Sequence, residues 1–214
     1  MPRVGTRASR LRAACGLAGP AAFTAAWAIG TLRQPAYSAA NEHISGLAAH
    51  DARTPHIMVS GFLVLGSCTV LFAKELSDRL GGVERAGPGP SLMGISGLAV
   101  MAAGALRRDR MSNFPLPGEA LVRQSWRNDG HDIASVISHV SGAVGMLALA
   151  RRFRKDPRWR RWTIPTVAAA IVGSGLSGSF AREVTRPGNG ILQRTAVSIP
   201  LGYESALAVR LMRD

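Results

Sequence analysis

The chain has 214 residues, 47% of them apolar and 18% charged, and its 26 Lys and Arg against 13 Asp and Glu leave a formal net charge of +13. So basic a chain invites a nucleic-acid role, but its charges cluster between long uncharged runs. A soluble domain carries a basic patch on one face of each segment, whereas a bilayer sorts residues into runs. The pattern excludes a water-soluble fold and a nucleic-acid partner and predicts an all-α integral membrane protein, a bundle of six transmembrane helices.

Residues 1–12, with Arg3, Arg7, Arg10 and Arg12, read as a basic cytoplasmic N-terminus ahead of a membrane domain over 13–211. A helix needs about 20 mainly apolar residues to cross a hydrocarbon core about 30 Å thick. The first such run, about 13–32, is charge-free and closed by Arg33. It is too long for the apolar core of a secretory signal peptide, so it reads as the first helix. The second, about 54–73, holds only His56 among titratable side chains of the usual charged types and stops at Lys74. The connector GGVERAGPGP, Gly81 to Pro90, is a flexible link without a phosphate-binding pattern.

Further runs follow at about 89–106, 132–150 and 162–181, closed by Arg107, Arg151 and Arg182. The sixth, about 188–210, is interrupted by Arg194 and Glu204; Arg194 lies near one end, where its head group can reach the interface. None of the runs alternates with period two, which argues against strands. Small residues suited to close helix contact recur at Gly94 and Gly97, Gly142 and Gly145, and Ser174 and Gly178. Cys15 and Cys68 fall inside apolar runs and read as small buried hydrophobes, neither a disulfide nor half of a zinc site.

With the N-terminus inside, the inner segments hold 16 Lys and Arg and the outer connections 9. By the positive-inside rule both termini are cytoplasmic, in a protein of the cell membrane. This places His43, Ser45 and Asp51 in the first outer connection, and Asp109, His131 and Asp132 in or beside the second. The fourth helix then continues with Ser135, Ser138, His139 and Gly142, which at spacings of three and four read as one polar stripe running inward from His131. Arg194, one turn into the outer end of the last helix, is expected to pair with Asp109 or Asp132.

The outer-facing cluster of His43, Ser45, Asp51, Asp109, His131, Ser135, His139 and Arg194 is thus the candidate site. Three roles compete for it: ordinary interhelical hydrogen bonds, a site for a small ligand, lipid, ion or proton, and a membrane-embedded hydrolase in which His131, His139 and Asp109 or His43 hold a metal or activate a Ser. No HExxH or GxSxG motif is present, and the sequence names no cofactor or metal site. On the inner side, Arg151, Arg152, Arg154, Lys155, Arg158, Arg160 and Arg161 either anchor the topology or attract anionic lipid headgroups.

Several of these residues also carry a family resemblance. Tyr37-Ser38 followed by Ile44-Ser45-Gly46-Leu47, then Asp109, Phe114, Pro115, Pro117, Gly118 and His131, and finally Gly190 with Arg194, resemble the motifs of domain of unknown function 998. That family consists of multi-pass bacterial membrane proteins, and the resemblance runs from about Arg12 to Arg210. Where the family has Asp-Pro this chain has Asp109-Arg110. The resemblance implies a multi-pass helical fold and a membrane location, and no reaction.

Overall fold

The computed structural model describes residues 6–112, 114 and 124–213. Arg3, Pro115, Pro117 and Gly118, named above, lie outside them. Among the described residues all regular structure is helical, and no strand occurs. The α-helices are α1 (Arg7–Arg33), α2 (Pro55–Arg79), α3 (Val83–Ala86), α4 (Pro88–Ala105), α5 (Trp126–Arg154), α6 (Thr163–Arg182) and α7 (Asn189–Arg213), with short 3-10 turns at Ile44–Ala48 and Arg160–Trp162. Four of them are long and apolar enough to cross a membrane: α1, α2, α5, and α6 taken with the turn before it. The Pro-Gly-Pro start of α4 and the charges of α7 dilute the other two.

The helices run past the apolar runs into their charged ends, because Arg, Lys and Glu are good helix formers once a nucleus exists. Local chemistry fixes the starts. The Thr6 side chain accepts from Ser9 N to cap α1, and Ser125 accepts from Asn128 N to cap α5. Pro55 and Pro88 begin α2 and α4, where a missing N–H costs nothing. The Gly81–Pro90 connector holds α3, so it is partly helical.

Each long helix packs on the one before and the one after it, and α7 returns to α1. The result is a closed ring in the order α1, α2, α4, α5, α6, α7. Large apolar side chains point out of it along every long helix, including Leu32 (87% exposed), Ile164 (80%) and Val136 (62%). In water so much apolar surface would drive aggregation; hydrocarbon is the solvent it suits.

Polar groups in the ring interior find partners across helices, as lipid-immersed bundles require. Thr69 Oγ1 of α2 donates to Glu204 of α7 at 3.2 Å, the hydroxyls of Thr166 and Tyr203 lie 2.7 Å apart, and Ser96 Oγ donates to Ser138 O at 2.9 Å. Helix α2 meets α4 so closely that a Cβ on Gly97 would stand 2.7 Å from Gly66 O. Gly145 is similarly crowded, whereas Gly94 and Gly178 face open space. Cys15 and Cys68 are free thiols, half-buried instead of fully buried.

Candidate functional site at the plugged end

The chain between α1 and α2 turns inward. Residues 42–49 are all buried, and Ile44 and Leu47 of the 3-10 turn join Phe23, Met58, Phe62 and Leu65 in one apolar cluster. This segment plugs one end of the helix ring. Irregular backbone in such a place must find partners for its own N–H and C=O groups.

Two neighbours supply them. From α7, Gln193 Oε1 accepts from Ile44 N (2.7 Å), Ile191 N donates to Ala40 O (3.0 Å), and Arg194 donates to Glu42 O (2.9 Å) and to the Tyr37 hydroxyl (2.7 Å). That hydroxyl in turn donates to His43 O at 2.7 Å. A Cβ at Gly190 would stand 2.6 Å from Ala39 O and Glu42 O, so only glycine lets the plug sit this close. From the α4–α5 connection, Arg107 donates to Ala48 O (2.9 Å) and Ala49 O (2.8 Å), His50 N donates to Arg108 O (3.0 Å), and Met111 N donates to Asp51 Oδ1 (2.6 Å).

The expected pairing of Arg194 with Asp109 or Asp132 is therefore corrected. The Arg194 guanidinium serves the plug and lies 5.3 Å from the Trp27 ring and 5.7 Å from the Tyr37 ring. Asp109 instead receives Ser125 N (2.7 Å) and Ser125 Oγ (2.6 Å) ahead of α5, and these bonds hold its carboxyl below the usual carboxylate range. Asp132 accepts from Asn128 Nδ2 at 3.2 Å.

His43 is 2% exposed, with its ring edge-on to Phe180 at 4.6 Å. Arg108 Nη1 donates to its Nδ1 at 2.9 Å, so the neutral ring carries its hydrogen on Nε2. Burial, reinforced by the Arg108 charge, pushes its pKa down to about 3. With that lone pair taken, His43 is no general base. Ser45 is buried within the turn. His131 is also buried, and its Nδ1 donates to Ala103 O (2.7 Å) and Leu106 O (3.1 Å), carbonyls that the end of α4 leaves open.

The polar stripe on α5 does not hold together. His131 and Ser138 face inward and Ser135 is half-buried, but His139 is exposed on the outer wall, its Nδ1 returning to Ser135 O at 2.7 Å. Eight residues at 3.6 per turn leave His139 about 80° round the axis from His131, enough to carry it off the interior face. Among the described residues no hydrogen bond joins the Ser45 or Ser135 hydroxyl to a His43, His131 or His139 ring, and no three His, Cys, Asp or Glu are grouped to hold a metal.

Buried polar atoms without partners gather where the plug meets α6 and α7. They include His43 Nε2, Asn189 Oδ1 and Arg194 Nε. His43 packs on Phe180, and Asn189, 2% exposed, donates through Nδ2 to Phe180 O (3.1 Å) and Glu183 O (2.9 Å). Both side chains thus converge on the end of α6. Sequence reasoning missed Asn189, Gln193 and Arg107, which look like ordinary span-end residues until the plug folds over them.

At the opposite end it also missed Glu75, 1% exposed, which accepts from Ser9 Oγ, Arg12 Nε (3.1 Å) and Arg79 Nε (2.9 Å). The Glu75–Arg79 spacing of four was the available signal. In the basic α5–α6 loop, Arg158 and Arg152 bond Asp156, and Arg158 above all holds that carboxyl below its usual range. Arg151, Arg154, Lys155, Arg160 and Arg161 remain exposed.

An all-helical ring with an apolar outer wall, interior polar pairs and helices able to cross a bilayer defines a membrane protein. The chain belongs to the family described as protein of unknown function (DUF998), whose model matches residues 17–210. No curated protein and no solved structure matches it.

Proposed function

We propose that the chain crosses the plasma membrane six times, both termini in the cytoplasm, and binds a small polar ligand or lipid headgroup beneath the plug. The six long helices alternate in direction around the ring, and the excess of Lys and Arg falls at the end opposite the plug, which supports the sidedness. At that end the exposed basic residues of the α5–α6 loop would meet anionic headgroups of the inner leaflet.

One observation carries the ligand site: the buried, unpartnered Asn189 Oδ1 and the His43 Nε2–H, which has only the Val184 backbone beside it, an acceptor and a donor converging on one helix end. Polar atoms so deep in a bundle are costly unless something bonds to them. The ligand must accept from His43 and donate to Asn189. Native mass spectrometry of the chain extracted from membranes in mild detergent tests this. We expect a small retained mass on the wild type that His43→Phe and Asn189→Leu each lose; bare polypeptide in the wild type would refute the ligand, and release of the chain by alkaline carbonate would refute the membrane location.

A further inference from the structure

A groove opens on the lipid-facing wall where the start of α6 meets the end of α7. It has a volume of about 380 Å³ and is lined by Arg161, Trp162, Ala206, Val209, Arg210 and Arg213. That size falls in the usual range of small-molecule sites, about 300–1,000 Å³. Three guanidinium groups form its charged end, while Ala206 and Val209 supply an apolar wall. The groove is therefore amphipathic along the direction in which a lipid stands.

The charged end is also preorganised. Arg210 lies 5.1 Å from the Trp159 ring and donates to Arg158 O at 3.5 Å, and Trp159 in turn stacks on Phe153 at 4.9 Å. The indole N–H of Trp162 and the hydroxyl of Thr163, next in the chain, are buried without partners. Both sit at the start of the 20-residue α6, where the helix dipole favours an anion. Ile164, 80% exposed one residue on, continues the apolar surface away from the charges.

We propose that this groove between α6 and α7 is a specific site for an anionic glycerophospholipid, its phosphodiester held by Arg161, Arg210 and Arg213 and its acyl chain lying along Ala206 and Val209. The site deepens the six-span reading, on which it rests, by assigning one lipid to one groove in place of a diffuse basic loop. Free phosphate would satisfy the arginines but leave the apolar wall bare, so the occupant is a lipid.

The test titrates delipidated full-length protein in detergent with phosphatidylglycerol, phosphatidylcholine or inorganic phosphate and follows bound mass by native mass spectrometry. Arg161→Gln/Arg213→Gln should weaken phosphatidylglycerol binding about 30-fold, as expected for two basic residues near a membrane surface. Arg7→Gln/Arg10→Gln removes equal charge from the same end outside the groove and should change it less than about twofold, since neither side chain lines the groove. Equal losses in the two double variants, no loss in the groove variant, phosphatidylcholine binding as well as phosphatidylglycerol, or phosphate displacing the lipid would each overturn the site. None of these outcomes releases the chain from membranes, so failure here stays distinct from failure of the membrane reading.

Discussion

The two ends of the ring solve the same electrostatic problem in different ways. At the plugged end the cations bond neutral partners: Arg107 takes the carbonyls of Ala48 and Ala49, and Arg194 takes Glu42 O and the Tyr37 hydroxyl. At the basic end the buried carboxylate Glu75 lies between Arg12 and Arg79, with Ser9 completing its shell. The difference follows from the backbone. At the basic end helical turns pack side by side and, although Arg152 still takes Arg85 O and Leu80 O and Arg79 takes Leu211 O, Glu75 lies close enough for charges to pair with charges. Where a non-helical segment is pushed into the bundle, its orphan carbonyls compete for the cations and win.

That contrast can be broken at its strongest point first. Glu75→Ala leaves Arg12 and Arg79 facing each other around a buried gap, and we expect a loss of about 3–5 kcal/mol, read as a lowered unfolding midpoint in detergent. An unchanged midpoint would mean that the basic end needs no ion-pair network. Arg194→Ala removes two of the plug's bonds to α7, those to Glu42 O and the Tyr37 hydroxyl, and should cost about 2–3 kcal/mol. It should also expose the 42–49 segment to added protease, while Glu75→Ala leaves that segment protected; equal protection in both variants would show that the plug is held by packing alone.

The smallest of the three effects is read through pH. An unfolded histidine titrates near 6.5, whereas folded His43 resists protonation down to about 3. Between those values the unfolded chain binds a proton that the fold refuses, so stability falls as pH drops and is intact above about 6.5. The loss reaches about 2 kcal/mol at pH 5. Midpoints measured at pH 7 and pH 5 should draw together in His43→Gln, and parallel pH profiles in variant and wild type would remove His43 from the account.

How far the fold could be read ahead of the structure depends on what each element answers to. The runs ending at Arg33, Lys74, Arg151 and Arg182 announce helices because apolar length and terminal charge are local properties. His139 misled because spacing arguments tolerate an eighth-residue drift that the helix itself does not. Asp109 looked like an ion-pair partner for Arg194, yet it is held by Ser125, 16 residues on, which no pattern in the sequence marks as its partner.

Sequence alone therefore determined the solvent and the helices, since hydrophobic runs and flanking arginines respond to the bilayer residue by residue. The plug over the ring, the bonds that hold it, the buried Glu75 network and the groove between α6 and α7 were decided by tertiary structure only. Each depends on partners far apart in the chain, as in Arg210–Arg158 at 52 positions, Arg12–Glu75 at 63 and Arg194–Glu42 at 152, and contacts at such separations leave no periodic trace in the chain.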